Sequence, residues 1–350
     1  MTARILIIAG SDSGGGAGIQ ADIKTVTMLG GHAMTAITAI TAQNTHAVQA
    51  MHAVPTDMVL AQIDSVVSDI GVDAIKIGMI GSAETAERVA ARLAALSVPL
   101  VFDPVMVATS GSRLADARTI AAFGRLMDIA ALVTPNLPEL NALGGIAPVL
   151  RHGCHALVKG GHGEGETIVD QLLGPSGTLR EWRNARIIST ATHGTGCTLA
   201  SAVATGLGQG MGAEAAVDRA ISFVRLALRD APGLGSGHGP MAQQQVREDA
   251  MVTGASLNQI TVGAADYAAS VGFYRALGLI QIVDSPDNGY ARFVAANGVT
   301  LSIHVGPSSP ATTVYLEHRQ LDAWVAQLQS DGLAFDQLPQ DESWGWREAR

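Results

Sequence analysis

The chain has 350 residues, of which 47% are hydrophobic and 15% charged, and its formal net charge is −9. The length allows two domains with a core of ordinary size in each, and the negative charge argues against nucleic acid or an anionic membrane as the main partner. Only Cys154 and Cys197 are present, which argues against a disulfide framework or a cysteine-bound metal and predicts a reduced, cytoplasmic location.

No segment predicts a membrane span. The apolar run at 5–9 is too short for a signal peptide. Residues 25–56 and 187–213 carry no Asp, Glu, Lys or Arg, but both are rich in polar residues and glycine. We therefore interpret them as buried walls of a pocket and not as membrane anchors.

Short apolar runs recur along the first half of the chain, as in buried parallel strands. Ala-rich segments with helical spacing, such as 83–96 and 116–129, lie between them. The alternation predicts an α/β fold in which a mainly parallel sheet is covered on both faces, with ligands at the carboxyl ends of the strands. The predicted strands are 5–9, 74–77, 100–102, 131–133 and 156–158.

A glycine-rich loop at 10–18 follows the first of these strands. Its glycine spacing does not fit a dinucleotide-binding fingerprint, and no lysine follows a glycine loop at the spacing of a P-loop. We therefore expect the loop to close over a small substrate and Asp22 to offer that substrate a carboxylate. The alternative for Asp22 is an acid near a helix N-terminus.

Two further residues at strand ends suit an aromatic substrate. Gln43 follows an uncharged, strand-like run, and its amide can donate and accept together, as the edge of an aminopyrimidine requires. Met79 follows the strand at 74–77 and can serve as a soft apolar contact. The plainer interpretations are a surface amide for Gln43 and a core side chain for Met79.

Polar residues also follow the next three strands. Asp103 comes after the strand at 100–102, Asn136 and Glu139 after the next, and Lys159 after the last. Lys159 can hold a phosphoryl oxygen as a point charge, and Asp103 and Glu139 can act on Mg²⁺ directly or through water. Each residue taken alone also fits a capping or salt-bridging role, but their order along the chain favours a shared site.

Gly194, Thr195 and Gly196 precede Cys197 and an Ala-rich, helix-forming stretch. A helix start exposes unpaired N–H groups with a partial positive charge, and glycines let those groups approach an anion. A cysteine at this place is expected to have a lowered pKa. The pattern predicts a site where negative charge develops beside a nucleophile or base. An ordinary glycine turn before a buried helix is the alternative.

The pattern changes after the glycine-rich residues 233–240, and the polar tract 241–255 is predicted to be a linker. The remainder, 256–350, is predicted to form a separate α+β module of βαβββ type. Its predicted strands are 257–262, 290–294, 300–305 and 314–316, and its predicted helices are 266–277 and 321–330.

Seven motifs stand in the order found in one enzyme family: GSDSGGGAGIQAD, ITAQNT, KIGMI, FDPVM, TPNLPE, VKGGH and HGTGCTLASA. Over residues 1–240 the chain resembles the hydroxymethylpyrimidine and phosphomethylpyrimidine kinases of thiamine biosynthesis, which belong to the ribokinase-like superfamily. The resemblance implies a three-layer sandwich with a mainly parallel central sheet, and a homodimer. It also implies ATP- and Mg²⁺-dependent phosphorylation of 4-amino-5-hydroxymethyl-2-methylpyrimidine and then of its monophosphate.

The resemblance implies roles for the candidate residues. Those that would bind the pyrimidine are Asp22, Gln43, Met79 and Val105. Those that would lie near the nucleotide and Mg²⁺ are Asp103, Asn136 and Glu139. Those that would face the phosphates are Lys159, as a catalytic residue, and Gly194, Thr195 and Gly196, as an anion hole. Cys197 stands where many related sugar kinases carry an aspartate base, so it would accept the hydroxymethyl proton as a thiolate or shape the anion hole.

The chain departs from that family between Glu139 and Lys159, where the family usually has one helix more. We expect residues 141–149 to be too short for both a helix and its return, which would loosen the nucleotide side of the site. Two other functions therefore stay open. One is a pyridoxal kinase, because that vitamin is also a hydroxymethyl-bearing heteroaromatic. The other is a non-catalytic protein that binds a small molecule.

The second module resembles the glyoxalase and bleomycin-resistance family, which has the vicinal oxygen chelate fold. That family often carries a metal-binding His in its first strand, where this chain has Asn258 and Gln259. We expect the last strands of that family, with a common metal-binding Glu, to lie beyond Arg350 or to be absent. His304 and Glu317 are two scattered candidates, so we predict no metal site in this module.

Overall fold

The computed structural model describes residues 2–109, 111–163, 165–246, 256–294, 299–306, 312–317, 321–343 and 345–350. The chain divides into two compact units, Met1–Met251 and Val252–Arg350. Each unit has its own sheet and its own hydrophobic core. Among the described helices, none combines the length and apolar character that a membrane crossing requires.

The first unit is built on a single sheet, which has nine strands in the described residues and the order β3-β2-β1-β4-β5-β6-β7-β8-β9. These are β1 (Arg4–Asp12), β2 (His32–Gln43), β3 (Val48–Ala53), β4 (Ala74–Ile77), β5 (Leu100–Phe102), β6 (Leu132–Val133), β7 (His155–Val158), β8 (Thr167–Gly174) and β9 (Gly177–Ala185). Neighbours from β2 to β7 run parallel, while β3, β8 and β9 pair antiparallel at the edges. The predicted parallel centre is therefore confirmed.

Helices cover both faces of this sheet. They are α1 (Gly18–Met28), α2 (Thr56–Asp69), α3 (Ala83–Leu93), α4 (Ala117–Met127), α5 (Leu137–Ala142), α6 (Ile146–Leu150), α7 (Thr195–Gly208) and α8 (Ala213–Arg229). Side chains of a strand alternate between faces. In β1, Ile5 and Ile7 pack with α1, α7 and α8, whereas Leu6 and Ile8 pack with α2, α3 and α4. This arrangement is the predicted three-layer α/β sandwich.

Two predictions about this unit were wrong. The segment between α5 and β7 does accommodate a helix and its return, although the helix, α6, has only five residues and ends at Leu150, just beyond the predicted 141–149. It fits because α5 ends at Ala142, and Gly144 and Gly145 turn the chain with φ of +86° and +94°. The chain then returns as β7 in register with β6. The predicted linker at 241–255 is wrong for 241–246, since Met241 and Val246 are buried in the core of the first unit. Residues 247–255 lie outside the described part of the chain.

In the part of the second unit that the structure describes, the main sheet has five strands in the order β11-β12-β13-β10-β14. Its elements are β10 (Ser256–Ala264), α9 (Tyr267–Ala276), β11 (Ile280–Ser285), β12 (Tyr290–Val294), β13 (Thr300–Val305), β14 (Thr312–Glu317), α10 (Leu321–Ser330), and the short pair β15 (Gln340–Asp341) and β16 (Arg347–Glu348). Val271 of α9 packs on Ala291, Phe293 and Ile303. The module is α+β in class, and its likeness to the glyoxalase family stays a prediction.

Candidate active site

A cavity of about 1080 Å³ opens at the carboxyl ends of the parallel strands in the first unit. Its walls come from the loop after β1, the ends of β2 and β4, the segments after β5, β6 and β7, and the start of α7. The candidate residues that line it are Gln43, Met79, Asp103, Val105, Asn136, Glu139, Lys159, Gly194, Thr195, Gly196 and Cys197. The topology thus brings together side chains that are far apart in sequence.

Helix α7 begins against the glycine loop. Gly194 caps the helix with φ +83°, and a Cβ on it would lie 2.0 Å from the carbonyl oxygen of Gly16. Only a glycine fits both the backbone angle and this close approach. The first N–H groups of α7 have no intrahelical acceptor and point toward the cavity end, which makes this helix start a suitable place for an anion.

A lysine and two carboxylates lie beside that helix start. Lys159 Nζ is 2.7 Å from Asp103 Oδ1 and 3.7 Å from Glu139 Oε2. Thr134 Oγ1 also donates to Asp103 Oδ1, at 2.8 Å. A Cβ on Gly196 would lie 3.2 Å from Lys159 Nζ and 3.4 Å from Asp103 Oδ2, so the absence of a side chain there leaves the lysine close to the helix. Lys159 therefore lies where β5, β7 and α7 meet, as a cation that is paired with Asp103 and close to Glu139.

Asn136 and Glu139 form a capping box at the start of α5. The Glu139 N–H donates to Asn136 Oδ1 and the Asn136 N–H donates to Glu139 Oε2, each at 2.8 Å. Both residues also line the cavity, so the capping interpretation and the site interpretation hold together. Burial raises the pKa of Glu139 to about 7, with Asp103 adding to the rise and Lys159 opposing it.

Cys197 lies in the first turn of α7, is half-buried and lines the cavity. The prediction of a lowered pKa was wrong: burial raises the pKa of this thiol to about 11, against the opposing effect of the Lys76 charge. The helix start favours the thiolate, but removal from water costs the charged form more. At neutral pH the side chain is therefore a neutral thiol in the free protein.

Asp22 does not line the cavity, so the predicted direct contact between its carboxylate and a substrate is absent from this structure. The side chain is fully buried in α1, where it accepts from Lys76 Nζ at 2.8 Å and from Ser201 Oγ at 2.7 Å. Its two oxygens are both used by these partners. It is not in the first turn of α1 either, so the helix N-terminal alternative also fails.

Gln43 ends β2 and lines the same cavity. Its Oε1 accepts from Thr41 Oγ1 at 3.2 Å, and its Nε2 is 3.1 Å from Nε2 of His193. Met79 and Val105 line the same cavity, and Met79 is only 8% exposed, so it belongs to the core as well as to the cavity wall. These three residues therefore offer the cavity one amide together with apolar contacts.

Asp12 and His193, for which the sequence predicted no role, hold the glycine loop in place. Asp12 Oδ2 accepts from the backbone N–H groups of Gly16 and Ala17 at 3.0 and 2.8 Å, and lies 2.9 Å from Nε2 of His193. This carboxylate joins the loop after β1 to the segment that leads into α7. Burial raises the pKa of Asp12, but these hydrogen bonds outweigh it and leave the pKa lowered. An acid two residues before a run of glycines was the available signal.

The sequence also predicted no role for Arg186, which lines the cavity together with Lys159. Its guanidinium donates to the carbonyl oxygens of Gly161, Gly163 and Gly165 at 2.9, 2.7 and 2.8 Å. These contacts hold the loop that follows Lys159. The partners are 21 to 25 residues away along the chain, so no local pattern could predict them.

Residues 12–242 match the family model described as phosphomethylpyrimidine kinase. The chain is 44% identical over 260 residues to the thiamine biosynthesis bifunctional protein ThiED of Geobacter sulfurreducens, a match that covers 70% of this chain and 53% of that protein. It is 45% identical over 252 residues to the hydroxymethylpyrimidine/phosphomethylpyrimidine kinase of Streptomyces coelicolor, covering 68% of this chain and 93% of that kinase.

A solved structure shares the fold of the first unit. The ADP complex of Bacillus subtilis pyridoxal kinase matches with a TM-score of 0.64 and 30% identity, over 69% of this chain and 98% of that one. The chain spans 53% or less of the length of the multifunctional thiamine biosynthesis proteins that it matches, and 93% of the single-function kinase. The similarity is therefore to their kinase portion.

Proposed function

This chain belongs to the phosphomethylpyrimidine kinase family, and we propose that its first unit transfers the γ-phosphoryl group of ATP to a hydroxymethylpyrimidine. The proposed substrates are 4-amino-5-hydroxymethyl-2-methylpyrimidine and then its monophosphate, as in thiamine biosynthesis. The observation that carries the proposal is the meeting of Lys159, Asp103 and the start of α7 in one cavity that Gln43 also lines.

This arrangement suits phosphoryl transfer, which depends on positioning and charge neutralisation more than on covalent chemistry. Lys159 would hold an oxygen of the transferred group, and the N–H groups of Gly196 and Cys197 would receive the charge that develops on it. Gln43 would bind the edge of the pyrimidine, with Met79 and Val105 against its faces. The hydroxymethyl group would then point toward Cys197.

Cys197 is a neutral thiol in the free protein, because its pKa is raised to about 11. We therefore propose that it acts first by shaping the anion hole. It would serve as a base only in the fraction of molecules in which it is ionised. The pyrimidine hydroxyl loses its proton most readily late in the transfer, when the phosphoryl group has already arrived.

The residues present fit a role for Mg²⁺. Asp103 and Glu139 offer two carboxylates near the phosphate end of the cavity, and in the described residues no group of three or more His, Cys, Asp or Glu forms a complete metal cage. Mg²⁺ usually keeps several waters and binds through one or two carboxylates together with substrate phosphates. Asp103 and Glu139 would hold it in that way, and it would neutralise phosphate charge. The predictions of a homodimer and of a cytoplasmic location stay predictions.

A pyridoxal kinase is the second candidate, favoured by the structural similarity to Bacillus subtilis pyridoxal kinase. The test is an ATP-consumption assay of the purified chain with the pyrimidine, its monophosphate and pyridoxal, with the variant Lys159→Met as a control for contaminating kinases. We expect turnover of both pyrimidines at least ten times more efficient than turnover of pyridoxal. Preferential turnover of pyridoxal would support the second candidate, and turnover of none of the three would refute both.

A further inference from the structure

Three buried polar side chains lie behind the wall of the cavity, where the proposed reaction does not use them directly. They are Asp22 of α1, Lys76 of β4 and Ser201 of α7, and none of them has any exposed surface. Lys76 Nζ is 2.8 Å from Asp22 Oδ2, and Ser201 Oγ donates to Asp22 Oδ1 at 2.7 Å. We call these three residues the buried triad.

A buried ion pair is weak evidence of stability, since the cost of removing two charges from water often exceeds their attraction. Apolar side chains of similar size would fill the same space with equal or greater stability. The first-unit core on this side of the sheet consists mainly of hydrophobic side chains, together with buried neutral hydroxyls such as those of Thr25, Thr198 and Thr205. We therefore infer that the buried positive charge of Lys76 has a role other than packing.

The triad lies one helical turn beneath the anion-binding end of the cavity. Ser201 follows Cys197 by four residues in α7, so both are on the same face of that helix. Asp22 follows Gly18 by four residues in α1, and the Gly18 N–H interacts with the Cys197 sulfur. Both helices thus place the triad directly below the level of Cys197.

Lys76 approaches the cavity floor from the sheet. Its Nζ lies 2.7 Å from where a Cβ on Gly78 would be, and Gly78 directly precedes Met79 in the cavity wall. The charged groups that act on Cys197 are Lys76 from β4, Asp22 from α1, Asp103 after β5 and Lys159 after β7. The charge of Lys76 favours the thiolate of Cys197, and the charge of its partner Asp22 opposes it.

We propose that Lys76, held by Asp22 and Ser201, is a positioning residue that supplies a fixed positive charge beneath Cys197 and so favours negative charge at this end of the cavity. The charge needs no contact with substrate. It is oriented before substrate binds, which is the condition for electrostatic stabilisation of a developing charge. This proposal deepens the proposed kinase function and rests on it for its kinetic consequence.

The test measures the reactivity of Cys197 in the absence of any substrate. The full chain is treated with iodoacetamide over a range of pH, and peptide mass spectrometry follows Cys197 and Cys154 separately. Only the thiolate reacts, so the rate reports the charge on sulfur. Cys154 is 1% exposed and serves as an internal control for loosening of the fold.

Two near-isosteric variants are expected to move this rate in opposite directions. Lys76→Met removes the positive charge and leaves Asp22, so alkylation of Cys197 at pH 8 should slow by about tenfold or more, the effect of one pKa unit. Asp22→Asn removes the negative charge and leaves Lys76, so alkylation should accelerate. A merely structural role predicts the reverse for Lys76→Met, because a loosened core exposes both cysteines and speeds their reaction.

Each single variant leaves one buried charge without its partner and is therefore at risk of misfolding. The double variant Lys76→Met/Asp22→Asn removes both charges and avoids that risk. It should alkylate more slowly than the wild type, by severalfold, and its kcat should fall with little change in KM. The matched control is Thr205→Val, which alters a fully buried hydroxyl of α7 that bonds only within its helix, to Ser201 O at 2.7 Å. This control should leave both the rate of alkylation and kcat unchanged.

The proposal is overturned if the double variant reacts as the wild type does, or if both single variants shift the rate in the same direction. Failure of the kinase function is a separate result. A chain that phosphorylates no pyrimidine would refute the proposed function, while the alkylation rates would still decide whether Lys76 acts on Cys197.

Discussion

The close approach of the glycine loop to the start of α7 gives the sharpest test of the site, through the variant Gly194→Ala. Gly194 and Gly210 lie at opposite ends of α7 with nearly the same backbone angle, φ +83° and +84°. A Cβ on Gly194 would lie 2.0 Å from the Gly16 carbonyl oxygen, whereas a Cβ on Gly210 would meet no atom within 4 Å. Gly210→Ala is therefore a control for the cost of the backbone angle alone.

The structure sets the size of each effect. Alanine in the left-handed region costs about 1–2 kcal/mol, and both variants should lose this much stability. In Gly194→Ala the loop or the helix must also shift by about 1 Å to reach even a tight contact. A displacement of that size at a reacting centre costs about 100-fold in rate. We expect kcat to fall by that factor in Gly194→Ala and to be unchanged in Gly210→Ala.

The assay pairs steady-state kinetics with the free energy of unfolding from urea denaturation for the two variants. Gly194→Ala should be less stable than Gly210→Ala as well as slower. Equal kcat values in the two variants would refute the reasoning, because the helix start could then move away from the glycine loop without consequence for the reaction.

Three further variants test single contacts in the cavity. Glu139→Gln should alter the pH dependence of the free energy of unfolding. The pKa of Glu139 is raised from 4.5 to about 7, so between these pH values the folded chain holds a proton that the unfolded chain releases. The wild-type free energy of unfolding should therefore fall as pH rises from 4.5 to 7, by on the order of 2–3 kcal/mol. Urea denaturation across that range should show the fall in the wild type and its absence in the variant; parallel curves would contradict the assignment. Lys159→Met should lower kcat by about 100- to 1,000-fold with a much smaller effect on KM, measured by steady-state kinetics, and a normal kcat would exclude a role at the phosphates. Gln43→Leu should raise the KM for the pyrimidine by about tenfold, the loss of one or two hydrogen bonds, while the KM for ATP stays unchanged; an equal rise in both would argue against a specific contact.

The sequence predicted the centre of the fold and the location of the site because both depend on local pattern. The strands 5–9, 74–77 and 100–102 are continuous apolar runs, and the residues after them reach one edge of the sheet once the strands are parallel. That rule alone brings Asp103 and Lys159 together, although 56 residues separate them. The structure places them 2.7 Å apart.

The sequence could not predict properties that depend on the side chains packed around a group. The pKa of Cys197 was expected to be low from its place at a helix start, but burial, which no local pattern reports, raises it. The partner of Asp22 is Lys76, which is 54 residues away. Lys76 lies within the run 74–77, which the sequence predicted only as a buried strand. The edge strands β8 and β9 were also missed, because β9 is mostly exposed and carries charged residues in place of an apolar run.

The central claim is that phosphoryl transfer takes place at the start of α7 beside Cys197, and the single-turnover rate of Cys197→Ala tests it most directly. The purified chain, in excess over the pyrimidine and saturated with ATP, is mixed and quenched over time, and the same is done for the variant; steady-state assays give the KM values. We predict a fall in rate of about 100-fold or more, with KM values for both substrates within about twofold of the wild type. A variant that transfers the phosphoryl group at the wild-type rate would contradict the claim.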